Sequence, residues 1–261
     1  MKAIILAAGE GTRLIPLTND RPKCLVELFG KPLINYTVEL FQKSGVSDIT
    51  IVTGYMSDMI HIPNITYRHN KNFDSTNMIE TLFCAKDQLD DSVIISYADI
   101  IFQKNVLDTL LSSKEDISVI VDSNWEEYWN LRFANPLDDA ETLIIDDEGY
   151  IQNIGQKTSS LLEIQGQYIG LMKFQNNGVN DLTSFYEMAK NQSNKGQNTL
   201  NPKLPFEKSY MTDLLQGLIN NGKKIKSVPI HNGWLEVDSF RDYEIYTKMH
   251  DEGSISRFFT T

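Results

Sequence analysis

Residues suited to binding phosphate are concentrated in the first 23 positions of the chain. An apolar run from Ala3 to Leu6 is typical of a buried strand. It is followed by a loop of small residues and glycines, Ala7, Ala8, Gly9, Glu10 and Gly11. Glycine tolerates positive φ, so such a loop can direct several main-chain N–H groups at an anion. Thr12 suits the start of a short helical turn, and Arg13 and Lys23 add two fixed positive charges. The stretch predicts a nucleoside triphosphate site; glycines that serve only the turn are the alternative.

The segments that must position this loop alternate between strand and helix patterns. Apolar runs predict strands at 48–53, 65–68, 92–96 and 117–121, and helical spacing predicts helices at 31–44, 77–88 and 106–112. Such alternation is typical of a mostly parallel sheet with right-handed crossovers. Ligands of these sheets bind beyond the carboxyl ends of the strands. We therefore expect the loop after Leu6, Gly54–Tyr55 and Asp99 to converge on one site.

The second half of the chain has a less regular pattern. Two strand-like segments, 142–145 and 150–154, flank Asp146–Gly149, a sequence that favours a hairpin turn. Strands are predicted at 168–174 and 225–229, helices at 182–190 and 211–221, and a mobile polar loop at 191–203. No repeat or convincing linker divides the chain. We expect one domain over residues 1–261, with a nucleotide-binding part at 1–122 and an acceptor-binding part at 123–261.

Composition narrows the class of protein. With 24 basic and 35 acidic residues the formal net charge is −11, which argues against nonspecific binding to nucleic acid or to anionic membranes. No apolar run approaches the roughly 20 residues of a membrane span, and the start of the chain does not resemble a secretory signal. Cys24 and Cys84 lack metal-ligand or redox spacing, which favours free thiols in a reducing cytoplasm.

The opening stretch resembles the signature of the nucleotidyltransferase superfamily, which includes sugar-phosphate nucleotidyltransferases and phosphocholine cytidylyltransferases. That signature combines an apolar strand, Ala-Ala-Gly-x-Gly-Ser/Thr-Arg-Leu, Pro-Leu-Thr and Pro-Lys. All of these elements are present here between Lys2 and Lys23. The resemblance implies an α/β fold: a Rossmann-like three-layer sandwich with a mixed, mostly parallel sheet and a β-rich acceptor-binding portion, as in nucleotide-diphospho-sugar transferases.

The resemblance also implies a magnesium site and four catalytic residues. The superfamily places a magnesium-binding aspartate at the position of Asp99, and the segment around Asp238 is similar to the second aspartate segment of the phosphocholine cytidylyltransferases. Two carboxylates suffice, because Mg²⁺ fills its remaining positions with phosphate oxygens and water. Aspartates that only end a strand or cap a helix are the alternative. Arg13 and Lys23 are expected to offset the charge of the triphosphate and of the departing pyrophosphate.

The choice of nucleotide rests on departures from the sugar-phosphate pattern. Those enzymes typically carry Gly-Asp-Asn, Gly-Thr-Ala and Glu-Lys-Pro segments, whereas this chain has Ala98-Asp99-Ile100, Ser75-Thr76-Asn77 and Gln156-Lys157-Thr158. Segments 72–77, 122–129 and 236–243 are instead similar to phosphocholine and phosphonate cytidylyltransferases. We therefore expect CTP as the donor. The predicted nucleotide-binding residues are Leu6, Ala7, Ala8, Gly9, Glu10, Gly11, Thr12, Gly54, Tyr55, Ser75, Thr76, Asn77 and Ala98.

Four residues are candidates for binding the acceptor. Lys157 could meet its phosphate, and Tyr168 matches a segment that borders the acceptor pocket in relatives. Trp125 and Trp129 could surround an amine or quaternary ammonium, which the nearby acidic residues Glu126, Glu127, Asp138, Asp139 and Glu141 would also suit. The alternative is that the aromatic rings fill a core or a subunit interface and that the acidic side chains only solvate a loop.

These observations predict a cytoplasmic, Mg²⁺-dependent cytidylyltransferase that acts on a small phosphorylated or phosphonate acceptor. Phosphocholine, aminoethylphosphonate, hydroxyethylphosphonate and a phosphorylated amino-acid amide are all compatible, and the product would serve cell-surface or capsule decoration or phosphonate metabolism, as in relatives. The rivals are a sugar-1-phosphate nucleotidyltransferase that uses UTP or dTTP and a catalytically silent nucleotide-binding subunit. The oligomeric state stays open, with a homodimer as one expectation.

Overall fold

A seven-stranded mixed sheet forms the centre of the computed structural model, which describes residues 1–260. The strands are β1 Lys2–Ala7, β2 Glu27–Leu28, β3 Lys31–Pro32, β4 Asp48–Thr53, β5 Thr66–His69, β6 Ser92–Tyr97, β7 Ile100–Phe102, β8 Ile117–Asp122, β9 Glu141–Ile145, β10 Ile151–Lys157, β11 Gln167–Gln175, β12 Lys226–Ile230 and β13 Trp234–Glu236. The sheet order is β12-β8-β11-β6-β1-β4-β5, and only β11 pairs antiparallel with its neighbours.

Helices cover both faces of this sheet. They are α1 Leu33–Lys43, α2 Met78–Phe83, α3 Lys104–Ser112, α4 Trp125–Arg132, α5 Asn177–Ser193, α6 Met211–Asn220 and α7 Phe240–Asp251. Successive residues of β1 point to opposite faces, so Ile5 joins one core with α1, α3, α4 and α7, while Ile4 joins a second core with α2, α5 and α6. The predicted three-layer α/β sandwich is confirmed. None of the helices within residues 1–260 is long and apolar enough to cross a bilayer.

The parallel register brings the expected loops to one edge. Leu6 of β1 lies beside Val52 of β4 and Tyr97 of β6, so the loops after all three strands begin at the same level. A two-stranded sheet formed by β7 and β13 adds a fourth segment there, because Val237 N–H donates to the Asp99 carbonyl at 2.9 Å. The backbone thereby places Asp238 next to Asp99.

The acceptor-binding half contains the predicted hairpin, formed by β9 and β10 around Asp146–Gly149. It also departs from the sequence-based expectation. Helix α5 runs on to Ser193, so the polar loop predicted at 191–203 begins later than expected. Helices α4 and α7 were not predicted at all. Helix α4 has only eight residues, and Arg132 on its buried face weakens the apolar pattern of Trp125, Tyr128 and Trp129. Helix α7 begins with a capping box between Ser239 and Asp242 that the sequence does contain.

Candidate active site

A cleft of about 480 Å³ opens at the carboxyl edge of the parallel strands, between the loop after β1 and the β9–β10 hairpin. Most of the residues predicted to bind nucleotide, metal or acceptor line it. They are Leu6, Ala7, Ala8, Gly9, Gly11, Thr12, Arg13, Lys23, Thr76, Asn77, Ala98, Asp99, Trp129, Lys157, Tyr168 and Asp238. The cleft is thus continuous from the glycine loop to the predicted acceptor end.

The glycine loop owes its shape to Gly11. Its φ is +72°, a left-handed conformation that glycine adopts without strain. A Cβ there would lie 2.8 Å from the Cβ of Lys23, so the absence of a side chain also lets Lys23 pack against the loop. The Thr18 hydroxyl donates to the Gly11 carbonyl at 2.8 Å and fixes the turn. The short helical turn predicted at Thr12 is present at Thr12–Leu14.

Two basic and two acidic side chains form a charged centre in the cleft. The Lys23 ammonium donates to Asp99 Oδ2 and to Asp238 Oδ1, both at 2.8 Å. Arg13 binds the Asp238 carboxylate with both terminal nitrogens, at 2.7 and 2.8 Å. Burial disfavours the protonated, charged form of Lys23, but the attraction of the Asp99 and Asp238 carboxylates is stronger and raises the pKa of the lysine. Burial likewise acts to raise the pKa of Asp238, and the basic residues, Lys23 foremost, bring it below its usual value.

The charged centre fits the magnesium ion that the superfamily implies. Oδ1 of Asp99 is buried and has no hydrogen-bond partner in the part of the chain that the structure describes, and an orphaned carboxylate oxygen of this kind is suited to a cation. No group of three or more His, Cys, Asp or Glu side chains within residues 1–260 could hold a metal. A two-carboxylate site completed by phosphate oxygens and water is the arrangement that Mg²⁺ commonly uses.

A buried ion network holds Asp238 in place. Arg132 of α4 donates to Oδ1 and Oδ2 of Asp242 at 2.9 and 3.2 Å and to Glu236 at 2.6 Å. Oδ2 of Asp242 accepts the main-chain N–H groups of Asp238 and Ser239 at 3.1 and 2.8 Å. Burial raises the pKa of Glu236 to about 7 against the opposing effect of Arg132. The start of α7 and the Asp238 backbone are therefore fixed by α4.

Two tyrosines form one wall of the cleft. The rings of Tyr97 and Tyr168 meet edge to face at 5.9 Å, and both residues line the cleft. A Cβ on Gly170, whose φ is +86°, would lie 2.3 Å from the Tyr97 ring, so glycine is needed for this packing. Burial raises the pKa of both phenols. The wall therefore offers neutral aromatic and hydroxyl surface.

The acceptor end combines charges of both signs. Glu141 and Lys157 are directly opposed residues of β9 and β10, and both line the cleft with Asp139 and Trp129. The Lys157 ammonium donates to the Asp139 carbonyl at 3.0 Å, and Trp129 Nε1–H donates to the Asp139 carboxylate at 3.0 Å. Burial raises the pKa of Glu141 to about 7, although Lys157 acts to lower it.

Comparison with known proteins identifies the family. A family model described as the MobA-like NTP transferase domain matches residues 3–154. The chain belongs to this family. It is 40% identical over 256 residues to the CTP:phosphoglutamine cytidylyltransferase of Campylobacter jejuni, a match that covers 94% of this chain and 98% of the relative. It is 37% identical over 107 residues to the choline-phosphate cytidylyltransferase of Streptococcus pneumoniae, covering 40% of this chain and 47% of that protein.

Solved structures confirm the fold of this nucleotidyltransferase. The CTP:phosphocholine cytidylyltransferase of Streptococcus pneumoniae superposes with a TM-score of 0.72 at 22% identity, over 95% of this chain and 98% of that chain. The inositol-1-phosphate CTP transferase of T. maritima gives a TM-score of 0.71 at 18% identity, over 100% and 98%. The predictions of an enzyme, of the nucleotidyltransferase superfamily and of its cytidylyltransferase branch are confirmed.

Some predicted site residues lie outside the wall of the nucleotidyltransferase cleft. They are Glu10, Gly54, Tyr55, Ser75 and Trp125. Gly54 and Tyr55 support the glycine loop from behind: Tyr55 N–H donates to the Ala8 carbonyl at 3.1 Å, and a Cβ on Gly54 would lie 2.7 Å from the same oxygen. The expectation for Trp125 is corrected, because its ring is buried in the core and packs edge-on against Trp129.

Other cleft residues were not predicted as parts of the site. They include Phe73, Tyr97, Glu141, Gln167, Tyr210, Thr212 and Glu236. The sequence indicates Glu141 only as one of several nearby acidic residues, and its place opposite Lys157 depends on the hairpin register. Gln167 lies on β11 and Tyr97 lies on the neighbouring strand β6. Local sequence patterns do not reveal that these two strands pair. The turn at Asp146–Gly149 predicts the hairpin, but the pairing of Glu141 with Lys157 depends on two register shifts between β9 and β10 that the turn does not reveal.

Proposed function

We propose that this nucleotidyltransferase transfers CMP from CTP to a small phosphorylated acceptor and releases pyrophosphate. The observation that carries the proposal is the charged centre of Arg13, Lys23, Asp99 and Asp238 at the end of the glycine loop. The cytidylyltransferase similarity over 94% of the chain supports CTP as the donor. The four charged side chains that we propose act in catalysis are all present and form one connected group, which favours an active enzyme over a silent subunit.

The chain's own residues act mainly by positioning and charge compensation. Main-chain N–H groups of the glycine loop, with Arg13 and Lys23, hold the triphosphate. An anionic oxygen of the acceptor phosphate attacks the α-phosphorus; a new P–O bond forms while the bond to the β-phosphate oxygen breaks, and pyrophosphate leaves with that electron pair. No general base is needed because the attacking oxygen is already ionised. Mg²⁺ held by Asp99 and Asp238 would supply positive charge to the reacting phosphate oxygens.

The acceptor that the comparisons favour is a phosphorylated amino-acid amide. The relative that is 40% identical is named for phosphoglutamine, whereas the similarity to the choline-phosphate enzyme covers 40% of this chain. The mixed charges of Glu141, Asp139 and Lys157 at the acceptor end are consistent with a zwitterionic compound. They suit choline less well, because a quaternary ammonium has no N–H to donate and is recognised mainly by aromatic faces.

Pyrophosphate release with Mg²⁺ tests the proposal directly. CTP, UTP, dTTP and ATP are each combined with phosphoglutamine, phosphocholine, aminoethylphosphonate and glucose 1-phosphate. We expect turnover with CTP and a non-sugar acceptor. Mass spectrometry should identify the product as the CMP adduct of that acceptor. A preference for UTP or dTTP with glucose 1-phosphate would refute the cytidylyltransferase proposal. Tight nucleotide binding without turnover of any pair would favour a silent subunit.

A further inference from the structure

Glu141 is a cleft residue whose carboxylate has no hydrogen-bond donor in the described chain. Its hydrogen bonds within residues 1–260 involve only its main chain: Gln167 accepts its N–H at 3.3 Å and donates to its carbonyl at 2.6 Å. Gln167 is itself buried in β11, so the start of β9 is anchored to the central sheet. The Glu141 side chain is thus held in the acceptor end of the cleft.

The surroundings of Glu141 disfavour the ionised form of its carboxylate while that carboxylate has no partner. Burial and the neighbouring carboxylates of Asp139 and Asp213 all disfavour its ionised form, and only Lys157 acts in the opposite direction. Lys157 does not bond to it, because its ammonium is directed at the Asp138 and Asp139 carbonyls. A partly buried carboxylate without a protein partner is stabilised as an ion when a cation from elsewhere joins it.

The acceptor can provide that cation. We propose that Glu141 is the specificity residue of the acceptor site and receives the ammonium group of an α-amino-acid acceptor, while Lys157, directly across the hairpin, faces that acceptor's carboxylate and not its phosphate. Glu141 and Lys157 lie at opposed strand positions. One zwitterionic molecule can pair its ammonium with the glutamate and its carboxylate with the lysine. This inference rests on the proposed cytidylyltransferase function and adds the chemical class that the acceptor end selects.

A comparison of two acceptors in three proteins tests it. Phosphoglutamine and the same molecule without its α-amino group are assayed for kcat/KM with CTP in the wild type, in Glu141→Gln and in Asp147→Asn. Asp147 is acidic and exposed, lies in the turn of the same hairpin and does not line the cleft, so it is a matched control. Hydrogen bonds to charged groups predict that the wild type prefers the amino-bearing acceptor by about 10- to 100-fold.

We expect Glu141→Gln to remove most of that preference by slowing only the amino-bearing acceptor, whereas Asp147→Asn keeps it. Glu141→Asp retains the charge and should restore part of the preference. That result would show that the loss in Glu141→Gln is not a folding defect. Equal slowing of both acceptors in Glu141→Gln, or a preference that survives, would overturn the assignment.

This assay and the pyrophosphate-release panel together separate this inference from the function on which it rests. Turnover with CTP that is equally fast for both acceptors in the wild type would overturn the role of Glu141 and leave the cytidylyltransferase proposal standing. Turnover only with glucose 1-phosphate and UTP or dTTP would overturn both. For Lys157, we expect Lys157→Met to slow phosphoglutamine by about tenfold or more but not its α-carboxamide; equal effects on both compounds would remove the carboxylate from the proposal.

Discussion

Replacing Asp242 with asparagine should destabilise the protein strongly, because this carboxylate is the centre of the network that fixes Asp238. Its two oxygens accept two bonds from Arg132, the main-chain N–H groups of Asp238 and Ser239, and the Ser239 hydroxyl at 3.0 Å. The side chains of Arg132 and Asp242 are 1% and 3% exposed. Asparagine keeps the shape but removes the charge, and it replaces one acceptor oxygen with an NH₂ group that faces donors.

The magnitude follows from the burial of the pair. Breaking a buried ion pair on one side leaves an uncompensated charge and costs about 3–5 kcal/mol. Arg132 keeps its bond to Glu236 in Asp242→Asn, so we expect a loss near the lower end, about 3 kcal/mol in the free energy of unfolding. For a protein of this size 1 kcal/mol corresponds to about 2–4 °C in Tm, which gives a fall of roughly 6–12 °C.

Urea unfolding followed by circular dichroism, with thermal melts of the same samples, measures this loss. Glu244→Gln is the matched control, because Glu244 lies on the same helix, carries the same charge and is exposed; its cost should stay within about 0.5 kcal/mol. The double variant Arg132→Met/Asp242→Asn should lose less than the sum of the single variants, since neither member of the Arg132–Asp242 pair is then left as a buried charge without the other. A loss below about 1 kcal/mol in Asp242→Asn, or full additivity, would refute the argument that this pair carries the α4–α7 contact.

Three further predictions concern the chemistry of the cleft. Lys23→Ala should lower kcat by about 100-fold or more while the circular dichroism spectrum stays that of the wild type; unchanged turnover would exclude Lys23 from the mechanism. Asp99→Asn should weaken Mn²⁺ binding in the presence of a non-hydrolysable CTP analogue by at least about tenfold, measured by electron paramagnetic resonance; equal affinity would place the metal elsewhere. The pKa of Glu141 is raised to about 7, and only its ionised form attracts an ammonium. The acceptor KM should therefore rise as the pH falls from 8 to 6, and this rise should be absent in Glu141→Gln if Glu141 is its source.

The sequence by itself determined the nucleotide end of the site and the class of fold. The glycine loop, Arg13 and Lys23 lie within 23 residues, so their chemistry can be identified without knowing any long-range contact. The alternation of strand and helix patterns likewise predicted the parallel sheet, since each pattern is local and the crossover rule is general. Helix α4 was not predicted because it has only eight residues and its buried face includes Arg132, which weakens the apolar pattern of Trp125, Tyr128 and Trp129.

Only the tertiary structure decided how the distant parts of the site meet. Asp238 reaches Lys23 across 215 positions in the chain because β13 pairs with β7 next to Asp99. Glu141 faces Lys157 because of the β9–β10 register, and a shift of one residue would turn its side chain to the other face. Such contacts depend on the pairing of segments far apart in the chain, and the residue types at either end do not encode which partner they will meet.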